Sequence, residues 1–420
     1  MAERNDRRRD GRRGTPRATA PGLQATAPAV ILHEGRERSV LHGHPWIFSG
    51  AIDRVLGEPA PGATVGVADA SGVWLAHAAW SPVSQIRARI WSAAATPAID
   101  AAFFRERIAR AAAARSPMFD DQPTGARLVQ GEADGLPGLI ADRYGAVVVV
   151  QLLSAGAEFW RAVIVEALAG LPGITCVYER SDAEVRHLEG LPPRSGTAAG
   201  ALPREVLLRE DGLLYRVDPV AGQKTGFFLD QRDNRRLVRD AAGGRRVLNV
   251  FCYTGGFTLA ALAGGATQVL SMDSSAEALA LGAENLARNP ALPGSAATWV
   301  EADAFTQLRQ LRNEAASFDL IVLDPPKFAP TAAHAERAAR AYKDINLLAL
   351  KLLTPGGLLA TFSCSGGVDA ALFQKIVAGA AVDAGARARI LRRLGPSADH
   401  PVALEFPEGD YLKGLLLRKA

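Results

Sequence analysis

Cysteine is scarce in this sequence of 420 residues, which contains only Cys176, Cys252 and Cys364. Three cysteines so far apart cannot build a disulfide framework or a cysteine-based zinc site. The histidines and acidic residues have no metal-ligand spacing either, so we expect no bound metal. Free thiols are most simply explained by a reducing compartment, and we expect a cytoplasmic protein.

Long hydrophobic runs are also absent. No stretch approaches the roughly 18 uncharged apolar residues that a membrane helix requires, and the N-terminus lacks the apolar core of a signal peptide. The composition, 48% hydrophobic and 22% charged, is instead typical of a globular protein with room for two or three domains. We expect it to be soluble.

Excess charge is missing from most of the chain. Residues 1–21 contain seven arginines and three acidic residues, which accounts for the whole net charge of +4. Arg, Gly, Pro and Ala dominate this stretch without any apolar periodicity, so we expect residues 1–28 to be disordered. Such a tail could hold phosphates loosely or could serve only to increase solubility.

Lysine is rare as well. The chain has seven lysines against 41 arginines, and none precedes Lys224. In a sequence with this bias, a lysine inside a motif is unusual. Lys224 and Lys327 both lie in motifs and are therefore candidate substrate-binding residues.

Three segments follow the tail. Residues 29–98 read as short alternating strands broken by Gly and Pro, which predicts a small β-barrel. Residues 99–203 begin with a predicted helix over roughly 100–115 and then mix helical and strand patterns, which predicts an α+β unit. The Gly- and Pro-rich stretch 190–203 is the expected boundary. Residues 204–420 begin with a hairpin at 205–218. They continue as alternating strands and helices, including a helix over 333–353, the pattern of an α/β fold with a doubly wound, Rossmann-like parallel sheet.

The first strand of that sheet ends in a candidate cofactor turn. It runs into Phe251, Tyr253 and Gly255, where a glycine turn lets the backbone approach a ligand before a helix begins. A nicotinamide-binding turn would have glycine in the place of Tyr253. The next two strands end at Asp273 and Asp303, acids that could bond a ribose and an adenine. Together these features predict a nucleoside cofactor.

The segment 224–235 is dense in polar groups just before a predicted helix. It lacks the Gly-Lys-Thr core of a phosphate loop and does not follow a strand as one would. We therefore predict that it covers the cofactor, and we call it the lid segment.

Two later strand ends carry a carboxylate and a thiol. Asp324-Pro325-Pro326-Lys327 ends one apolar run, and its prolines hold the backbone extended so that Asp324 can bond the edge of a base. Cys364 ends the next run, and carboxyl ends of parallel strands meet at one edge of a sheet. A thiol facing a carboxylate is the pair needed to methylate a pyrimidine at carbon.

Taken together, these residues resemble class I S-adenosylmethionine-dependent methyltransferases. From about residue 29 the chain resembles the bacterial large-subunit ribosomal RNA methyltransferase I family, which makes 5-methylcytosine in 23S RNA. The resemblance implies that the barrel is an RNA-binding PUA domain, that the α+β unit is the family's own middle domain, and that residues 204–420 are the methyltransferase domain. The supporting runs are 42–48, 131–142, 178–182, 224–235, 398–401 and 411–414.

The same resemblance implies the cofactor, the partner and the residue roles. S-adenosylmethionine would be the methyl donor and 23S ribosomal RNA the substrate, while a homodimer is compatible with the family. Cys364 would be the nucleophile, with Lys327 or the sulfonium charge lowering its pKa, and Asp324 would engage the cytosine ring. The implied cofactor-binding residues are Asp230, Asn249, Phe251, Tyr253, Gly255, Asp273, Asp303 and Ala304.

Other functions stay open at this point. A guanine-nitrogen RNA methyltransferase would share the sheet domain but would not need Cys364. A non-catalytic RNA-binding protein would keep the barrel and carry a vestigial sheet. A nicotinamide oxidoreductase is disfavoured by Tyr253 and by the thiol.

Overall fold

The computed structural model describes residues 28–93, 98–118, 124–328 and 335–420. The predicted tail, apart from Pro28, lies outside the described residues, as does the start of a helix predicted over 333–353. Within the described part of the chain, no helix is long and apolar enough to cross a membrane.

The N-terminal segment forms a six-stranded sheet in the order β2-β6-β5-β4-β1-β3. Buried residues that alternate along the strands, such as Val65 and Val67, fill its own hydrophobic core. The elements are β1 (Ala29–Leu32), α1 (Glu37–Leu41), β2 (Trp46–Phe48), β3 (Ile52–Leu56), β4 (Thr64–Ala68), β5 (Trp74–Trp80) and β6 (Ile86–Ser92).

The middle segment forms a five-stranded sheet in the order β11-β10-β9-β8-β7, against which helices pack. The predicted first helix begins after Asp100, whose side chain accepts a hydrogen bond from the Phe103 amide at 3.0 Å. The elements are α2 (Ala101–Ala114), β7 (Gly125–Gln130), β8 (Leu139–Tyr144), β9 (Val147–Leu152), α3 (Ala155–Phe159), α4 (Arg161–Ala169), β10 (Cys176–Ser181), α5 (Val185–Leu188) and β11 (Arg194–Gly200).

The stretch 190–203 is not simply a linker. It contains β11, which pairs antiparallel with β10 and so extends the middle sheet. Its small residues have no apolar alternation, so the sequence pattern gave no sign of a strand.

The C-terminal segment opens with the predicted hairpin, which turns at Asp211 and Gly212 with φ angles of 51° and 81°. A seven-stranded sheet follows in the order β16-β15-β14-β17-β18-β20-β19. The elements are β12 (Val206–Glu210), β13 (Leu213–Val217), α6 (Arg232–Ala241), β14 (Arg246–Val250), α7 (Gly256–Ala263), β15 (Gln268–Asp273), α8 (Ala276–Ala287), β16 (Ala297–Glu301), α9 (Ala304–Asn313), β17 (Phe318–Leu323), α10 (Ala335–Leu352), β18 (Leu353–Ser363), α11 (Ala370–Asp383), β19 (Ala388–Leu394) and β20 (Lys413–Lys419).

The doubly wound parallel sheet predicted from the sequence is confirmed. β14 to β18 are parallel, and their alternate residues enter two separate cores: Leu320 and Val322 lie in one, Ile321 and Leu323 in the other. The antiparallel pair β20 and β19 at one edge was not predicted. Cys176 is buried in the core that contains Leu320 and Val322, where residues of the middle sheet and of the seven-stranded sheet meet, and is structural.

Candidate active site

A cavity of about 480 Å³ opens at the carboxyl ends of the parallel strands. This volume is typical of a small-molecule site. The lid segment, the turn after β14 and the ends of β15, β17 and β18 surround it. Eight of the twelve site residues predicted from the sequence line it: Lys224, Asp230, Phe251, Tyr253, Asp273, Asp324, Lys327 and Cys364.

Two predicted cofactor residues, Asn249 and Gly255, lie behind the cavity wall. Asn249 is buried and donates from Nδ2 to the Thr258 hydroxyl at 3.0 Å. Gly255 has φ +82°, and a Cβ added there would come within 2.6 Å of the Trp299 ring. Both residues therefore shape the turn from behind.

The other two, Asp303 and Ala304, lie at the start of α9. The Asp303 carboxylate accepts hydrogen bonds from the Thr306 amide at 2.9 Å and from its hydroxyl at 2.8 Å, so it caps the helix. Ala304 is buried in the second core. Neither lines the cavity.

The turn after β14 is strained and is held by one carboxylate. Phe251 and Tyr253 adopt φ angles of 62° and 47°, which residues other than glycine rarely adopt. Asp273 accepts from the Tyr253 amide at 2.8 Å and from the Ser275 amide at 3.1 Å. A carboxylate has about four acceptor positions, so Asp273 keeps capacity for ribose hydroxyls on the cavity side.

The lid segment is hydrogen-bonded to that turn. The Tyr253 hydroxyl donates to the Gly226 carbonyl of the lid segment at 3.1 Å and accepts from the amide of Gln223, the residue just before that segment, at 2.9 Å. The Lys224 ammonium sits 4.5 Å from the centre of the Phe228 ring, a cation–π contact. A lysine thus enters the cavity from the lid.

Asp230 has one carboxylate oxygen that is free to bind a ligand. Its Oδ2 accepts from the Tyr411 hydroxyl at 2.7 Å, whereas its buried Oδ1 has no hydrogen-bond partner among the described residues. Burial by itself would raise the pKa of Asp230, but Lys224, His400 and Tyr411 hold it below its ordinary value. A buried carboxylate oxygen needs a donor, and the ammonium group of S-adenosylmethionine would be a suitable one.

Asp324 is electrostatically different from Asp230. Burial, together with the negative charge of Asp230, raises the pKa of Asp324 to about 7, although Lys224 and a hydrogen bond from Gln231 oppose the shift. Near neutral pH the Asp324 carboxyl is therefore about half protonated. It can either donate a hydrogen bond to a base or accept one from it.

Cys364 lies beside Asp324, with its Sγ 3.9 Å from the Pro325 carbonyl oxygen. Lys327 lowers the pKa of this thiol, as expected, but the net change is a rise. Burial raises the pKa of Cys364, and the charges of Asp324 and Asp230 add to the rise. Lys224 opposes it more than Lys327 does. The Cys364 thiol is therefore protonated at neutral pH.

Two contributors were missed by sequence reasoning, Tyr411 and Lys413. Tyr411 lines the cavity and binds Asp230. The buried Lys413 ammonium donates to the Ser365 carbonyl at 2.9 Å and to the Tyr411 carbonyl at 2.8 Å, so it fixes the Cys364 loop against β20. The scarcity of lysine was a signal that could have identified Lys413.

A buried ion pair supports the lid segment from below. Arg235 donates to both carboxylate oxygens of Glu210, at 2.6 and 2.7 Å, and to the Phe228 carbonyl at 2.8 Å. It thereby ties α6 and the lid segment to the hairpin. No group of three or more potential metal ligands occurs in the part of the chain that the structure describes.

Two family models match the chain. Residues 196–403 match an S-adenosylmethionine-dependent methyltransferase model, and residues 30–93 match a PUA-like domain. Two solved structures share the fold: a proposed methyltransferase complexed with SAH, at TM-score 0.81, and a proposed SAM-dependent methyltransferase from Streptococcus mutans, at 0.80. Each is 22% identical and covers 93% of this chain and 99% of its own.

Curated relatives resemble the chain over nearly its whole length. Proteins from Tolumonas auensis, Shewanella amazonensis and Salmonella arizonae are 50%, 49% and 46% identical over 93% of this chain. The match covers 98%, 98% and 97% of those proteins, respectively, and each is named Ribosomal RNA large subunit methyltransferase I. The resemblance found in the sequence is confirmed, and the nicotinamide alternative is excluded. S-adenosylmethionine is the cofactor, and the chain belongs to the ribosomal RNA large subunit methyltransferase I family.

Proposed function

We propose that this enzyme methylates carbon 5 of a cytosine in 23S ribosomal RNA through a temporary covalent bond from Cys364. One observation carries the proposal: Cys364 and Asp324 end neighbouring strands and line one cavity with the candidate cofactor residues. The names of the relatives support ribosomal RNA of the large subunit as the substrate.

The cofactor would occupy the part of the cavity between the turn and the lid segment. Bound S-adenosylmethionine supplies an electrophilic methyl group. Asp273 would hold the ribose hydroxyls and Asp230 the ammonium group, while Phe251 and Tyr253 form the wall beside them. Lys224 and Lys327 would face the RNA side.

Carbon 5 of cytosine is a weak nucleophile and has to be activated first. Cys364 Sγ adds to carbon 6, and the electron pair of the carbon 5–carbon 6 double bond forms a carbon 4–carbon 5 double bond. The electron pair of the carbon 4–nitrogen 3 double bond takes a proton from Asp324 at nitrogen 3. Carbon 5 then has enamine character and can take the methyl group. Water then takes the proton from carbon 5, ring nitrogen 3 returns its proton to Asp324, the carbon 5–carbon 6 double bond re-forms, and Cys364 leaves as the thiolate.

The raised pKa values of Cys364 and Asp324 suit a shared proton. An ionised Asp324 can accept the thiol proton, which creates the thiolate and the protonated carboxyl in one transfer. That carboxyl then holds the proton needed at ring nitrogen 3. Both groups sit within one cavity, so the target base would have to leave any RNA helix to reach them.

Methylation at a guanine nitrogen is the rival function, and product identity separates the two. The enzyme is incubated with 23S ribosomal RNA and labelled S-adenosylmethionine, and the nucleosides are identified by mass spectrometry. We expect 5-methylcytidine; methylguanosine would contradict the proposal.

Single-turnover assays test the role of the thiol. Cys364→Ala should abolish methyl transfer while S-adenosylmethionine still binds by calorimetry, because the thiol acts on the RNA. Cys176→Ala removes a buried thiol outside the cavity and is the matched control. Methyl transfer by Cys364→Ala at the wild-type rate would refute the covalent route.

A further inference from the structure

The edge of the catalytic sheet carries a group of arginines on one face. β19 is the edge strand, and in its pairing with β20 Arg389 lies directly opposite Arg418 while Arg392 lies opposite Leu416. Residues 416 and 418 project to the same face because side chains alternate along a strand. Arg389, Arg392 and Arg418 therefore share that face, and all three are exposed.

None of these three guanidinium groups has a carboxylate partner or a hydrogen-bond partner within the described ranges of the chain. Other surface arginines do, such as Arg216, which lies 2.8 Å from Glu284. Like charges directly opposite each other on adjacent strands destabilise a sheet. An anion that bridges them would remove this cost.

The position of the arginines connects them to the cavity. β19 is two strands from β18. Through β20, Arg392 is level with Ala360 and Arg389 with Leu358, which are four and six residues before Cys364. From strand spacing and rise, Arg392 and Arg389 lie about 15–25 Å from Cys364. This distance suits phosphates a few nucleotides away from a base held in the cavity.

We propose that Arg389, Arg392 and Arg418 form a phosphate-binding row that holds the RNA backbone about 15–25 Å from Cys364. The proposal rests on the proposed function in taking RNA as the substrate, but it does not depend on which base is methylated. Planar guanidinium groups bind phosphate in a bidentate manner, and three of them in a row match a repeating backbone.

Charged residues on an edge strand also discourage pairing with other chains. That role accounts for Arg389 and Arg392 but not for Arg418, which lies on the inner strand β20. A purely protective charge would also leave RNA affinity unchanged, so binding measurements separate the two roles.

The test compares the wild-type enzyme with the triple variant Arg389→Gln, Arg392→Gln and Arg418→Gln. Affinity for a transcript of full-length 23S ribosomal RNA is measured by filter binding across a series of salt concentrations. The slope of log affinity against log salt is negative, and each lost phosphate contact reduces its magnitude by about 0.7–0.9. We therefore expect the magnitude of the slope to decrease by about 2–3. RNA should bind more weakly, and S-adenosylmethionine should bind as it does to the wild type.

Two further variants control for net charge and for side-chain shape. The triple Lys variant at the same positions should keep most of the salt dependence. A second triple variant, Arg110→Gln, Arg312→Gln and Lys351→Gln, removes three exposed positive charges on helices α2, α9 and α10 and should match the wild type.

An unchanged slope in the first Gln variant would overturn the proposal that the three arginines bind phosphate. An equal loss in the control variant would also overturn it, because only net charge would then matter. A methylguanosine product would sink the cytosine proposal while leaving this test intact, so the two failures can be told apart.

Discussion

The shared proton between Asp324 and Cys364 predicts a specific pH dependence. The reactive state holds one proton between the two groups: either a thiol beside a carboxylate or a thiolate beside a carboxyl. Because Asp324 has a pKa of about 7 and burial raises the pKa of Cys364 above its ordinary 9.0, this state predominates between those two values.

The expected magnitudes follow from these values. Well below pH 7 both groups are protonated, so the rate should rise about tenfold for each pH unit there, and about 50-fold from pH 5 to pH 7. From pH 7 to pH 9 the gain in thiolate is offset by the loss of the protonated carboxyl, and the rate should be nearly constant.

Asp324→Asn removes the group that titrates near pH 7. The amide cannot ionise, so only the thiol remains and the rate should keep rising above pH 7, by up to about 100-fold at pH 9. Its absolute value should be lower, because ring nitrogen 3 no longer receives a proton. Loss of the Asp324 charge should also lower the pKa of Cys364, which that charge raises.

The assay is the initial rate of methyl transfer with both substrates far below saturation, where pH dependence reports the free enzyme. Thermal unfolding at each pH confirms that both proteins stay folded. A wild-type rate that continues to rise through pH 7, or an Asn variant that keeps the wild-type plateau, would refute the shared proton.

Three further substitutions test the framework of the site. Gly255→Ala places a Cβ 2.6 Å from Trp299 at φ +82°, so calorimetry should detect at least about tenfold weaker S-adenosylmethionine binding; wild-type affinity would contradict the role of the turn. Tyr411→Phe leaves the buried Asp230 carboxylate without its donor and should cost about 1–3 kcal/mol in urea unfolding, whereas no change would mean that water replaces the hydroxyl. Arg235→Met removes two short hydrogen bonds to the buried Glu210, which keeps Arg232 at 3.5 Å as an ion-pair partner, and should cost about 1.5–3 kcal/mol; a loss below about 1 kcal/mol would show that the pair is dispensable.

The positions of the parallel strands along the chain were predictable because each is an apolar run closed by a polar or glycine turn. Elements without that pattern were missed. β19 has an arginine-rich sequence and exposed sides, as an edge strand can have, and β11 consists mainly of small residues. Their strand form depends on pairing with β20 and β10, and a local pattern does not encode such pairing.

In the site, the positions of the strand ends were predictable, but the use of each acid was not. Asp303 follows a strand as Asp273 does, yet it also precedes a helix, and capping α9 satisfies its carboxylate. The pKa of Asp324 depends on burial and on Asp230, a residue from the lid segment. The bond from Tyr411 to Asp230 spans 181 positions in sequence.

The most direct test of the account is a covalent trap. RNA containing 5-fluorocytidine at the target position has no carbon 5 proton to lose, so an adduct formed by Cys364 cannot be released after methylation. We predict a stable protein–RNA complex that requires S-adenosylmethionine, maps to Cys364 by peptide mass spectrometry and is absent in Cys364→Ala. Methylation of this RNA without a covalent complex, or a complex attached to another residue, would contradict the central claim.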